Sequence, residues 1–169
     1  MTLAWHDDGV RRRSAIAPRE TAVAYWLFKE EPEHYSYADL EREGRTLWTG
    51  VTNNLARKNL RAVRPGDRIW FYHTGSEKQI VGEMVADSGP LADPEASDAK
   101  GVAVEVRPVR RLLAPVSLQT IKDDPGLAGW ELLRLSRLSV VPVTTGQWQR
   151  VEALNNGSTP KKKRQGAGR

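Results

Sequence analysis

Between residues 24 and 154 apolar and polar positions switch repeatedly, in short runs, between the two-residue alternation of a strand and the three-to-four spacing of a helix. Ala24-Tyr-Trp-Leu-Phe-Lys29 is a continuous aromatic and apolar run and predicts a first strand. Ser36 with Asp39 forms a capping box, which opens a short helix to Glu43 with Gly44 as its stop. Asn53 caps a second helix reaching about Val63, with Leu55, Ala56, Leu60 and Val63 on an apolar face and Arg57, Arg61 and Arg64 on the opposite, basic one. Pro65-Gly66-Asp67 turns into a buried strand over Arg68–His73, and Thr74-Gly75-Ser76 turns toward a partner strand over Gln79–Ala86. Val102, Val104 and Val106 alternate with polar or small residues, a half-buried strand expected to end at Pro108. A short helix over Ser117–Lys122, a last strand over Leu138–Val143 and a capping box at Thr144 and Gln147, opening a helix to Leu154, complete the pattern. Five or six strands with short helices between them predict an α+β domain built on a curled antiparallel or mixed sheet, and argue against a doubly wound one.

The flanks differ in kind. Residues 1–22 have scattered apolar positions and residues 155–169 almost none, so both are expected to be disordered tails around one domain at 23–154. The net charge of +5 is carried by residues 155–169, through Lys161, Lys162, Lys163, Arg164 and Arg169, while the body is close to neutral. Those cations are either a solubilising tail or an arm for phosphates. The absence of cysteine excludes disulfides, thiolate metal sites and a Cys nucleophile, and three histidines leave little room for a metal centre. With no apolar run near the roughly 18 residues of a membrane span and no signal peptide, the expected location is the cytoplasm, and no membrane partner is expected.

Enzyme signatures are missing: there is no G-x-S-x-G, H-E-x-x-H, Walker loop or G-x-G-x-x-G, and Asp123-Asp124 reads as a solvated helix end. Neither catalysis nor a cofactor is expected. Nine of the twelve aromatic residues fall between residues 25 and 72. Most suit a core, but Trp48 precedes the polar stretch Thr49-Gly50-Val51-Thr52-Asn53, where a ring beside exposed backbone N–H groups can stack on a nucleobase.

Trp26-Leu-Phe-Lys-Glu-Glu-Pro32, Tyr35-Ser36, Trp48-Thr-Gly-Val-Thr-Asn53 with Ala56-Arg57, Gly66-Asp67, Phe71-Tyr-His73 and Arg137-Leu-Ser-Val140 together resemble the EVE domain family. The resemblance implies a PUA-like fold, a curled β-barrel with peripheral helices related to PUA, ASCH and YTH domains, and a role as a reader of modified nucleobases. It departs from the usual pattern at Glu30, where Thr or Ser is common, and at Thr49 and Thr52.

The implied base site takes in Trp48, Lys29, Glu30, Pro32, Thr49, Gly50, Val51, Asn53, Tyr72, His73 and Trp26. Trp48 resembles a cage tryptophan of the YTH readers and would stack on the base, with Tyr72 or Trp26 as a second wall. Asn53 could meet a base edge or simply cap its helix. Lys29 could hold a phosphate or a carbonyl; Arg57 and Arg61, with Lys161, Lys162, Lys163 and Arg164, are the phosphate candidates. His73 reads as a structural histidine, and Arg137 and Ser139 as braces of the barrel. The expected partner is DNA or RNA carrying a modified base, with no metal; an enzyme acting on such a base and a protein-interaction domain are the alternatives.

Overall fold

The computed structural model describes residues 22–157. The tail cations Lys161–Arg164, and the disorder expected of residues 1–21 and 158–169, lie outside the described residues. The strands are β1 (Tyr25–Glu30), β2 (Thr46–Trp48), β3 (Arg68–His73), β4 (Gln79–Ala86), β5 (Leu91–Ala92), β6 (Val102–Ser117) and β7 (Val140–Val143). The helices are α1 (Tyr37–Glu43), α2 (Asn54–Arg61), α3 (Leu118–Asp123), α4 (Glu131–Arg134) and α5 (Thr145–Asn155), with a 3₁₀ turn over Pro125–Leu127.

The strands run in the order β2-β6-β4-β3-β1-β7, with β5 beside the start of β6. β1 and β3 pair in parallel, Trp26 opposite Ile69 and Lys29 opposite Tyr72, while the other pairings are antiparallel. Trp26, Leu27 and Phe28 are consecutive and all buried, so β1 is covered on both faces, which is why its apolar run is unbroken. The α+β expectation holds, with seven strands among the described residues. Those missed by periodicity are β2 and β5, of three and two residues, too short to show an alternation.

The largest departure is β6, which continues through Pro108 to Ser117. Met84 faces Pro108 while Glu83 faces Arg110, so one extra residue is inserted there and the proline falls at a bulge, where a missing N–H costs no ladder bond. A second shift lies between Ile80 and Gly82, and a third in β3 between Phe71 and Tyr72. These bulges let the sheet curl into a half-barrel. Gly82 is required on that wall, because a Cβ there would come within 2.4 Å of the Tyr37 ring.

Local chemistry closes the elements as expected in several places. Ser36 and Asp39 make a reciprocal capping box on α1, and Gly44 ends it at φ 78°. Thr144 and Gln147 do the same for the start of α5. That helix runs one residue past Leu154 to the buried Asn155, whose Oδ1 accepts the Ala114 N–H at 3.2 Å and so ties α5 to β6. Asp67, also buried, accepts from Trp26 Nε1 (2.9 Å), Ala24 N (3.0 Å) and Arg64 N (2.9 Å), tying the start of β1 to the turn before β3. Asp124 is buried rather than solvated, because it caps the 3₁₀ turn and pairs with Arg150 at 2.5 Å.

Candidate functional site

Trp48 ends β2, paired opposite Val104 of β6, and its ring is turned toward the core. It packs 5.3 Å from both Phe28 and Phe71, the latter edge-on at 84°. Trp48 is therefore only 5% exposed, a correction to the expected free-standing ring. The physical reason is the β2–β6 ladder, which fixes its side chain inward. It nevertheless lines a cavity of about 240 Å³ together with Glu30, His34, Tyr35, Thr46, Leu47, Thr49 and Glu95.

The polar groups of this cavity are held by their neighbours. Glu30 Oε1 accepts the Glu31 N–H at 2.9 Å and lies 3.2 Å from His34 Nδ1. Thr49 Oγ1 donates to Glu95 Oε2 at 2.6 Å. Gly50, at φ 78°, donates its N–H to Asp93 Oδ2 at 2.9 Å, and Asp93 Oδ1 takes the Glu95 N–H at 2.8 Å, so one buried carboxylate docks the 93–95 loop against the Trp48 loop. Tyr35 donates to Glu43 Oε2 at 2.6 Å, and burial first, then that carboxylate, push its hydroxyl up to about 12. Among the described residues the lining carries two carboxylates and neither lysine nor arginine. It is suited to a flat ring bearing hydrogen-bond donors.

The residues expected at one site are divided by the structure. Trp48, Glu30 and Thr49 meet at this cavity, with Gly50 and Val51 continuing its loop. Pro32 lies in the turn after β1. Lys29 and Tyr72 are paired neighbours that line a different cavity, of about 330 Å³, sharing no residue with the first. Strand alternation explains this, since Lys29 and Glu30 are consecutive and project to opposite faces. Trp26 donates its ring N–H to Asp67 at the far end of β1. Neither expected second wall therefore faces Trp48.

Asn53 caps α2, accepting the Ala56 N–H at 2.9 Å, and borders a shallow cleft with Leu55 and Arg137. His73 accepts the Tyr37 N–H on Nε2 at 3.1 Å, while its Nδ1 lies 3.1 Å from Glu77 Oε2 but off the line of a hydrogen bond. Arg57 is a second correction: it is buried, its Nε donates to Val51 O at 2.8 Å and its Nη1 pairs with Asp98 at 3.1 Å. Its guanidinium holds the Trp48 loop to α2, and Leu55, expected on the apolar face, is 43% exposed instead. Arg61 is exposed and donates to Lys100 O at 2.7 Å. Ser139 O accepts the Lys29 N–H at 2.9 Å, a brace between β1 and the residue preceding β7.

His34, Tyr35, Thr46, Leu47 and Glu95 line the cavity without having been expected there from the sequence. His34 stands four residues after Glu30, between the Trp26–Pro32 and Tyr35-Ser36 motifs, and could have been found; Glu95 reaches the site through the bond from Thr49 and the Asp93 tie to Gly50, long-range contacts that leave no local signal. Among the described residues no group of three or more His, Asp or Glu side chains could hold a metal ion, and no helix is long and apolar enough to cross a membrane.

A family model for the EVE domain matches residues 24–154. Thymocyte nuclear protein 1 of Gallus gallus is 30% identical over 179 residues, covering 85% of this chain and 74% of that protein, and its Mus musculus counterpart is 29% identical over 77% and 73%. Among solved structures, a Rhodopseudomonas palustris protein is 38% identical with a TM-score of 0.75, covering 79% of this chain and 94% of that one. Human thymocyte nuclear protein 1, solved in complex with 5-methylcytosine containing DNA, is 26% identical with a TM-score of 0.73 over 78% and 97%.

Proposed function

The chain belongs to the EVE domain family, and on that premise we propose that it is a nucleic-acid-binding module that reads a modified base in the Trp48 cavity. One observation carries the reading: a tryptophan at the foot of a cavity of about 240 Å³ whose other polar groups are preset by Asp93, Glu95 and Glu30. An indole face offers stacking that every base can use, worth roughly 1–3 kcal/mol per base. The carboxylates add selection, because they accept from an exocyclic amine of the cytosine or adenine kind and repel a keto oxygen. The DNA of the human relative carries 5-methylcytosine, a base with such an amine.

Binding to strands that differ only in one base, cytosine against 5-methylcytosine and thymine, at two salt concentrations, tests the proposal. Preference for the methylated, amino-bearing base at both concentrations is expected. Equal affinity for all three, or conversion of any of them to product, overturns it.

The cations beyond the described residues make a separate expectation. Truncation after Gly157, which spares Asn155, should weaken binding to every strand alike. The dependence of log K on log salt should flatten by about 0.7–0.9 for each phosphate that the tail neutralises. A salt titration of both forms measures it, and an unchanged slope means that Lys161–Arg164 do not touch the strand.

A further inference from the structure

We propose that the cavity bounded by Lys29, Lys78 and Lys122 binds a phosphate group, on the face of the β1–β3 pair away from Trp48. The inner wall is Tyr72, Leu118 and Leu132, in a volume of about 330 Å³ whose lining, among the described residues, includes no carboxylate. Among the described residues none of the three lysines forms an ion pair. Of the nearby acids, Asp123 accepts from Gln119 at 3.0 Å, and Glu77 accepts from Gln79 at 3.3 Å while lining an adjoining cavity that shares Lys78 and Lys122 but not Lys29.

Lys29 is the informative member. Its ammonium is half-buried, donates to Ser136 O at 2.9 Å and lies 5.8 Å from the centre of the Tyr72 ring. Burial pulls its pKa below the ordinary lysine value, and among the described residues no carboxylate pairs with it to restore it. An anion in the cavity would supply the missing counter-charge. Three ammonium groups act as point charges around one volume, which suits a tetrahedral phosphate better than a planar carboxylate, for which a guanidinium fork is the usual partner. Two sources share this chemistry: a phosphodiester of the strand read at Trp48, or a free phosphate. Only the first rests on the proposed function.

The full chain carrying Lys78→Asn and Lys122→Gln provides the test. Both residues are exposed, and asparagine tolerates the left-handed backbone of Lys78 (φ 47°), so the melting temperature should stay near wild type. Inorganic phosphate added to the wild-type protein should shift the Lys29 ammonium and Gly75 amide resonances, and the double variant should lose both shifts. A short single strand should bind the variant roughly tenfold more weakly at low salt, with the salt slope reduced by about 0.7 for each phosphate no longer held, and the ratio between methylated and unmethylated strands should not change. Phosphate shifts without any change in strand binding assign the site to a free phosphate, and a reduced salt slope without them assigns it to a phosphodiester. Absence of the shifts together with an unchanged salt slope overturns the proposal. Failure of base reading would show instead in the ratio between strands, which this variant leaves alone.

Discussion

Replacing Trp48 by leucine should lower the ratio of affinities for a strand bearing 5-methylcytosine and the same strand with an abasic gap by about 5- to 150-fold, the equivalent of roughly 1–3 kcal/mol of stacking. Alanine is the wrong substitution for this purpose. Trp48 packs against Phe28 and Phe71 and is 5% exposed, so Trp48→Ala removes core packing as well as the ring face. It should cost about 3–5 kcal/mol of stability, as should Trp70→Ala, where the ring stacks at 3.9 Å on Trp148. Two variants of similar volume separate the effects. Trp48→Phe and Trp48→Leu leave comparable cavities and should melt within a few degrees of each other, but only phenylalanine keeps a π face. If the two variants show the same affinity ratio, stacking on Trp48 is not how the base is held.

That a single tryptophan serves both core and cavity explains part of what the sequence conceals. The Trp48-Thr-Gly-Val motif pointed to a loop that does border a cavity, and the two capping boxes placed the starts of α1 and α5, because caps are settled by groups within four positions of each other. The strands β1, β3 and β4 were legible for a similar reason, since an apolar run bounded by turn residues has few alternatives. Long-range ties were not. Arg57 follows helical spacing on a basic face, but its partner Asp98 is 41 residues away, and nothing local shows that the pair draws the guanidinium under the loop. Glu95 comes to Trp48 by way of Gly50 and Asp93, 43 residues apart. The placement of Lys29 and Tyr72 away from Trp48 was available in principle: strand alternation sends consecutive residues to opposite faces, and Lys29 and Glu30 cannot line one cavity from the same strand.

Glu83→Gln should test whether the scaffold and the reading are separable. Glu83 is 1% exposed in β4 and accepts from Arg68 Nε at 2.6 Å and Arg110 Nε at 2.8 Å. Arg110 also pairs with Glu152 of α5. The two guanidinium groups lie 5.0 Å from Trp148 and 5.7 Å from Trp70 respectively, so the carboxylate fixes the cations that cover the stacked tryptophans. Removing its charge leaves two arginines facing each other across a neutral amide. Breaking a fully buried pair typically costs about 3–5 kcal/mol. Here the arginine side chains are 40% and 36% exposed and can turn toward water, which places the loss at about 2–4 kcal/mol. For a domain of this size that corresponds to a melting temperature lower by roughly 6–16 °C. Glu152→Gln, whose carboxylate is 27% exposed, should lose about 1 kcal/mol or less. Because the network lies against α5 and shares no residue with the Trp48 cavity, the ratio of affinities for methylated and unmethylated strands should be unchanged in Glu83→Gln below its melting temperature. A stable Glu83→Gln would show that the Trp70–Trp148 stack holds β3 and α5 together without the ion pairs; a changed affinity ratio would mean that the curvature of β4 is transmitted through β3 and Phe71 to the ring of Trp48.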